Sequence, residues 1–200
     1  VQGFGAVGRN AARFLTRAGA LLVGVADSQG AIHNEDGLDM ATLVELKESG
    51  RSVAEYPQGT RLGRDEVVGV PCDIWIPAAR PDVVHEDNVD QLQTRLVVEG
   101  ANIPFTEGAE EILHERGVLI VPDFIANAGG VICAAMEYQG ATESTAMQAI
   151  EEQVRRNTRL VLQDAEERAI PPRQAAVELA EARVRRAMSF RRYSLFSSAP

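Results

Sequence analysis

The hydrophobic positions change period several times along the 200 residues, and each change marks an element. Across residues 6–19, Val7, Ala11, Phe14, Leu15 and Ala18 recur at three- and four-residue intervals. That spacing puts them on one stripe of a helix, with Gly19 as its stop. Residues 20–27 read ALLVGVAD, a continuous apolar run closed by an acid. This is the pattern of a strand buried on both faces. Residues 28–37 are rich in turn formers and leave room for a small hairpin. Helical spacing returns over 38–49 and stops at Gly50. Pro57, Gly59, Gly63, Gly69 and Pro71 break the stretch 51–71, which predicts loops and short strands, some of them antiparallel.

Three more strands follow at 72–79 (CDIWIPAA), 95–102 (RLVVEGAN) and 118–123 (VLIVPD). A short helix is expected over 86–92, and a longer one over 106–117 with Thr106 at a capping-box-like start. From Asn127 the pattern is helical: 128–140, 142–169 and 172–188, with Ile170, Pro171 and Pro172 dividing the last two. Strands alternating with helices of this length predict an α/β fold. The sheet should be Rossmann-like, doubly wound and mostly parallel, with additional C-terminal helices. The tail 189–200 mixes aromatic and basic side chains and is expected to order only against a partner surface.

Composition narrows the function classes. The chain is 45% hydrophobic and 24% charged, enough to bury a core. A net charge of −9 argues against nucleic acid as a partner, and more weakly against anionic membranes. The longest apolar run, residues 18–26, is less than half of the roughly 20 residues a spanning helix needs. Arginines cluster at 155, 156 and 159 and again at 183, 185, 186, 191 and 192, interleaved with glutamates. That pattern predicts helix faces turned to solvent or to a partner. Cys72 and Cys133 sit in apolar stretches and read as buried free thiols of a cytoplasmic protein. His33, His85 and His114 lack the spacing of metal ligands, so no metal site is expected. The single lysine, Lys47, lies at the polar end of an amphipathic helix, and solvent is its expected neighbour.

The chemistry starts at VQGFGAVGRN, where Gly3, Gly5 and Gly8 have the G-x-G-x-x-G spacing. A helix follows, and Asp27 ends the next strand about 20 residues on, as in a dinucleotide site. Only Val1 and Gln2 precede the motif, so the first strand reads as truncated and the chain as a piece of a longer one. Gly3 would allow the tight strand-to-helix turn, Gly5 the close approach of a pyrophosphate, and Gly8 the packing of helix on strand. The N–H groups of residues 6–8 would hold the phosphates at the positive end of the helix. Asp27 would accept hydrogen bonds from the adenosine ribose; the alternative is that it opens a turn in DSQG. Its neighbours Ser28 and Gln29 are uncharged, which favours NAD over NADP without excluding NADP. Three later loops, 77–80, 99–102 and 127–130, also follow strands, where open α/β sheets bind ligands. Ala78 and Ala79 would let the nicotinamide ribose come close. The amides of Asn102 and Asn127 suit a ribose hydroxyl or a carboxamide, although each suits a cap or turn as well.

The segments QGFGAVG, ADSQGAI, CDIWIPAA and 98–131 occur in matching order and are followed by Glu137 and Tyr138. Over residues 1 to about 140 they resemble the cofactor domain of the Glu/Leu/Phe/Val amino-acid dehydrogenases. EGAN-x-P-x-T and IL-x-x-RG are closer to the glutamate branch than to the leucine or phenylalanine branches. The resemblance implies NAD(P)-dependent oxidative deamination of an L-amino acid to a 2-oxo acid and ammonia, with hydride passing from Cα to the nicotinamide. It implies that Gly3, Phe4, Gly5, Ala6 and Val7 contact the pyrophosphate, and Asp27 and Ser28 the adenosine ribose. Ala78, Ala79, Asn102 and Asn127 would contact the nicotinamide half. Two positions depart from the family pattern. Ala6 replaces an asparagine, and Ala134 stands in the substrate pocket where glutamate enzymes carry a serine that holds the substrate's side-chain carboxylate. The family's catalytic lysine and aspartate belong to an N-terminal substrate domain, so no catalytic residue is expected in this chain. The resemblance thus divides the chain into an NAD(P)-binding Rossmann domain over 1–140 and hinge-like C-terminal helices of the same domain over 141–200. It also implies a homo-oligomer at full length. The alternative reading is a module that binds or senses NAD(H) without chemistry.

Overall fold

Gln2 stands at the centre of the sheet. It pairs in parallel with Ala26 on one side and with Pro77 on the other. Its N–H donates to the Ile76 carbonyl (2.8 Å), and its carbonyl accepts from Ala78 N–H (2.7 Å). Beyond Ala26 lie β1 (Gly24–Ala26), β2 (Ala31–His33) and β3 (Thr60–Leu62), joined in antiparallel register. Beyond Pro77 lie β4 (Ile74–Trp75), β5 (Leu96–Val98) and β6 (Leu119–Val121), all parallel. The computed structural model describes residues 1–189, and the expectation for the tail lies, apart from Ser189, outside them. The order β3-β2-β1-Gln2-β4-β5-β6 is that of a doubly wound sheet, with the connection reversing direction on either side of Gln2. The expected hairpin and antiparallel strand over 28–71 are β2 and β3.

The helices are α1 (Ala6–Arg17), α2 (Met40–Glu48), α3 (Glu107–Glu115), α4 (Asp123–Ala126), α5 (Gly129–Tyr138), α6 (Glu143–Arg168) and α7 (Pro172–Ser189). The starts of α2 and α3 follow from capping side chains. Asp39 accepts from Thr42 N–H at 2.7 Å, and Thr106 accepts from Ala109 N–H at 3.3 Å. Phe4, Val25, Ile32, Leu43 and Val53 form the core under β1 and β2. Trp75, Val97, Phe105, Leu113 and Ile120 form it on one side of β4–β6, where the rings of Trp75 and Phe105 meet edge to face at 6.1 Å. Val121, Ile125, Val161, Ala165, Ala175 and Ala176 tie α6 and α7 to β6.

Several expectations need correction. The apolar run 20–27 is paired as a strand only over Gly24–Ala26, and Leu21 is 62% exposed. In 72–79 only Ile74–Trp75 form a strand, because Pro71 and Pro77 supply no N–H to a ladder. The helix expected over 86–92 is a single 3₁₀ turn, Val89–Gln91. Asn88 competes with the helix there by accepting from His85 N–H (2.9 Å) and donating to the Val83 carbonyl (3.0 Å). Cys72 and Cys133 are free but half-buried rather than buried. No helix among the described residues is long and apolar enough to cross a membrane. Arg155, Arg168 and Arg185 make exposed ion pairs with Glu151, Asp164 and Glu181 on the same helix faces.

Candidate functional site

The loops that follow Gln2, β1, β4, β5 and β6 converge at the carboxyl edge of the sheet, around the point where the strand order reverses. Gly3 takes φ +103°, in the left-handed region, and turns the chain into α1. A Cβ at Gly3 would lie 2.7 Å from Ala79 Cβ and 3.0 Å from the Ala78 carbonyl. A Cβ at Gly8 would lie 1.8 Å from the Gly3 carbonyl oxygen, so only glycine lets the helix sit this close to its own turn. Gly5 differs: a Cβ there would meet nothing within 4 Å. Gly5 is also the N-cap of α1 and brings no capping side chain, so the first-turn N–H groups point to open space. An anion fits that arrangement. Ala6 and Val7 are exposed beside it, whereas the Phe4 ring is committed to the core. Of Phe4, the backbone is what remains for a ligand.

Asp27 is buried, and four internal donors fill its carboxylate. Oδ1 accepts from Gln29 N–H (2.9 Å) and Ser52 Oγ (2.8 Å). Oδ2 accepts from Lys47 Nζ (2.8 Å) and Val53 N–H (3.0 Å). Burial alone would push this carboxyl up, but the Lys47, Gln29, Val53 and Ser52 donors together hold it below the usual carboxylate value. Lys47 is therefore not a solvent-facing residue, as its helix suggested. It closes over the β1–β2 turn with its side chain 27% exposed. The premise that no cation stands by Asp27 holds along the chain and fails in space. Asp27 also opens the DSQG turn, with its N–H bonded to the Gly30 carbonyl (2.8 Å). To take a ribose hydroxyl it must exchange one of its present donors; the bonds from Lys47 and Gln29 are part-buried, those from Ser52 and Val53 buried. Ser28 is exposed next to it.

The opposite end of the crevice holds two asparagines in contact. Asn127 Nδ2 donates to Asn102 Oδ1 at 2.7 Å. The 99–102 loop is tied to the 77–80 loop because Gly100 and Ala101 N–H both donate to the Pro77 carbonyl (2.9 and 2.8 Å). Ala79 and Asn102 are exposed there, and Ala78 and Asn127 half-buried. Ala134 is exposed on α5, a helix with no fully buried residue. The cavity of about 460 Å³ lined by Leu15, Leu22, Val70 and Trp75 holds none of the candidate residues. It lies beside the strands' amino-terminal ends, away from the loops.

Behind the asparagines is a charge cluster for which sequence reasoning assigned no role. Arg173, in the first turn of α7, reaches three carboxylates. Nη2 is 2.7 Å from Glu99 Oε2, Nη1 is 3.1 Å from Asp123 Oδ1, and Nε meets Glu110 Oε2. Glu99 is 0% exposed. Burial pushes its carboxyl up, Arg173 draws it down, and the neighbouring Glu110 and Asp123 raise it again, to about 7. Burial raises Glu110 as well. Asp123 ends below its usual value: burial would raise it, but the Ile103 and Phe124 N–H groups and Arg173 outweigh that.

A profile of the family described as Glutamate/Leucine/Phenylalanine/Valine dehydrogenase matches residues 1–192. The NADP-specific glutamate dehydrogenase of Saccharolobus shibatae is 41% identical over 138 residues, covering 69% of this chain and 33% of its own length. The NAD-specific glutamate dehydrogenase A of Halobacterium salinarum is likewise 41% identical over 138 residues, covering 69% and 32%. Among solved structures, a hetero-hexameric glutamate dehydrogenase from Thermus thermophilus in a Leu-bound form superposes with a TM-score of 0.83 at 29% identity, covering 97% of this chain and 47% of its own. The chain thus spans about a third to a half of the length of the proteins it matches. On the profile match and the crevice it organises, the chain belongs to the Glutamate/Leucine/Phenylalanine/Valine dehydrogenase family.

Proposed function

We propose that this chain is the NAD(P)-binding part of an amino-acid dehydrogenase, glutamate dehydrogenase foremost. The reaction would convert an L-amino acid, water and NAD(P)⁺ to a 2-oxo acid, ammonia, NAD(P)H and a proton. The observation that carries the reading is the crevice itself. The turn Gly3–Gly8 leaves the space beside Gly5 open while Gly3 and Gly8 leave no room for a side chain. The Asn102–Asn127 pair stands on the other side of the sheet's reversal point. Gly3, Gly5, Ala6, Val7 and the backbone of Phe4 would hold the pyrophosphate, and Asp27 and Ser28 the adenosine ribose. Ala78, Ala79, Asn102 and Asn127 would face the nicotinamide, which when bound accepts a hydride from the substrate's Cα. The groups that polarise the amino acid would belong to parts of the full-length protein that this chain does not span, since its single lysine is already engaged by Asp27.

In this reading residues 1–140 form the cofactor unit and 141–200 a hinge-like extension that faces the substrate domain. The exposed apolar side chains of α5, Val131 and Tyr138 among them, fit a surface that such a domain covers. Ala134 lies on the same helix. Its methyl cannot hydrogen-bond a side-chain carboxylate, which relaxes selection for glutamate towards apolar amino acids. Homo-oligomerisation at full length and a cytoplasmic location, the latter from the two free cysteines, complete the reading.

For the cofactor we propose NAD, with NADP accommodated. The Asp27–Lys47 pair offsets the negative charge that would otherwise repel a 2′-phosphate. Titration calorimetry with both nucleotides tests this on the wild type and on Lys47→Met. Binding of both nucleotides is expected, and the substitution should weaken NADP several-fold more than NAD. Binding of neither would overturn the cofactor reading. An equal loss for both would overturn the role given to Lys47. Deamination by this chain alone would overturn the assignment of the substrate-activating groups to another part.

A further inference from the structure

The Arg173 cluster is wired to both asparagines of the crevice. Asp123 is the hub. Its Oδ1 accepts from Arg173 Nη1 (3.1 Å), and its Oδ2 accepts from Ile103 N–H (2.8 Å). Ile103 follows Asn102 and has φ +49°, in the left-handed region, which is unfavourable for a β-branched side chain. Strain of that kind persists only where the surroundings over-determine it; here the Ile103 N–H is held by Asp123 and its carbonyl by Asp82 N–H (2.9 Å). Asp123 also opens α4, whose end is Asn127: the Asn127 N–H donates to the Asp123 carbonyl at 2.7 Å. Glu99, at the start of the Asn102 loop, accepts on one oxygen from Asp123 N–H (2.7 Å) and from Arg173 Nη2 (2.7 Å). One guanidinium therefore holds the start of the Asn102 loop and the start of the Asn127 helix in a single frame. The two amides emerge from that frame 2.7 Å apart.

We propose that Arg173 is a positioning residue for the nicotinamide end of the crevice, setting the Asn102–Asn127 pair through Glu99 and Asp123. The inference rests on the cofactor reading above and deepens it. It couples α7, the last helix described, to the loops that would receive the reacting ring. The fork geometry matters as much as the charge. A lysine keeps the positive charge but cannot reach three carboxylates in different directions at once.

Among the described residues no hydrogen bond or ion pair joins Arg173 to the adenosine half of the crevice, around Gly3, Gly5 and Asp27, so the two halves can be read separately with NAD and with ADP-ribose. Affinities of the full chain for both ligands would be measured by calorimetry for wild type, Arg173→Gln and Arg173→Lys. The expected result is an affinity for NAD about tenfold weaker in Arg173→Gln, with ADP-ribose within about twofold of wild type. Arg173→Lys, which keeps the charge and hence the fold, should show the same selective loss and so keeps the test decisive if Arg173→Gln does not fold. A merely structural arginine would weaken both ligands together or neither, and either outcome in Arg173→Lys overturns the proposal. Equal affinity of the wild type for NAD and ADP-ribose would also overturn it, because the asparagine pair would then contribute nothing. A wild type that binds neither ligand overturns the cofactor reading instead.

Discussion

Replacing Glu99 with glutamine removes one proton-binding group from the centre of the fold while keeping its shape. The amide oxygen still accepts from Asp123 N–H and Arg173, so the frame of the crevice survives. What changes is the response to pH. In the unfolded chain this carboxyl titrates near its ordinary 4.5, and in the folded chain near 7, because burial and two neighbouring acids outweigh Arg173. Between those values the folded chain keeps a proton that the unfolded chain has released. Stability contributed by the group is therefore greatest below 4.5, falls as pH rises through the window, and is level above it. A displacement of that size corresponds to on the order of 3 kcal/mol. Glu110 is raised too and adds with the same sign. Asp27, Asp39 and Asp123 are held below their ordinary 3.8, so their contribution has the opposite sign and is lost only as pH falls beneath that value, outside the window.

Trp75 gives the assay. It is the single tryptophan, buried at 1% exposure against Phe105, so its emission reports unfolding of the half of the sheet next to the cluster. Urea unfolding at pH 5, 6, 7 and 8 should show the wild type losing on the order of 2–3 kcal/mol across that range. In Glu99→Gln that loss should be clearly smaller, and what remains belongs to Glu110. A wild type whose stability is flat or rises from pH 5 to 8 would refute the reasoning. So would an unchanged slope in the variant, which would place the proton elsewhere.

Two further substitutions separate fold from function and test backbone strain. Gly8→Ala puts a methyl 1.8 Å from the Gly3 carbonyl and should cost about 3 kcal/mol or more, together with cofactor binding. Gly5→Ala meets open space and should leave stability within about 0.5 kcal/mol while weakening NAD at least several-fold. Thermal melts and calorimetry on the two variants check the contrast, and a destabilised Gly5→Ala would contradict it. Ala169 caps α6 at φ +51°, so Ala169→Gly should stabilise by about 1 kcal/mol and raise the melting temperature by about 2–4 °C. A lower melting temperature would show that the left-handed cap carries no strain.

The parts of the site that sequence reasoning reached are those whose logic is local or topological. Gly3, Gly5 and Gly8 fall within one turn, and their spacing states their geometry. Asn102 and Asn127 lie far apart in the chain, yet the rule that loops after parallel strands share one edge brings them together. The limits are just as specific. The apolar run 20–27 signalled burial, and hydrogen-bonded pairing is a separate matter, so only Gly24–Ala26 became a strand. Lys47 was misplaced because helical spacing tells which face is polar but not what folds over that face. Here Asp27, at the turn after β1, takes its ammonium, and Ser52 holds the same carboxylate.

Glu99 and Arg173 fall between these cases, and they show what an acid inside an apolar run can reveal. In LVVEG a carboxylate ends a strand whose neighbours are all apolar, which forecasts a buried charge in need of a cation. With one lysine in the chain, that cation had to be one of 19 arginines. Nothing local distinguished Arg173, since its partners come from the loop after β5, from α3 and from α4 and meet only after the sheet has formed. The position just after Pro171 and Pro172 helps in one respect. A proline in the first helical position fixes the start of α7, and so fixes where the next side chain points. A rigid helix start, a fork-shaped cation and acids from three separate elements make a joint that cannot shift one member alone. That rigidity is what a pair of asparagines needs if it is to present two amides at a set separation. It is also why α7, far from the glycine turn in sequence, bears on the geometry of the crevice.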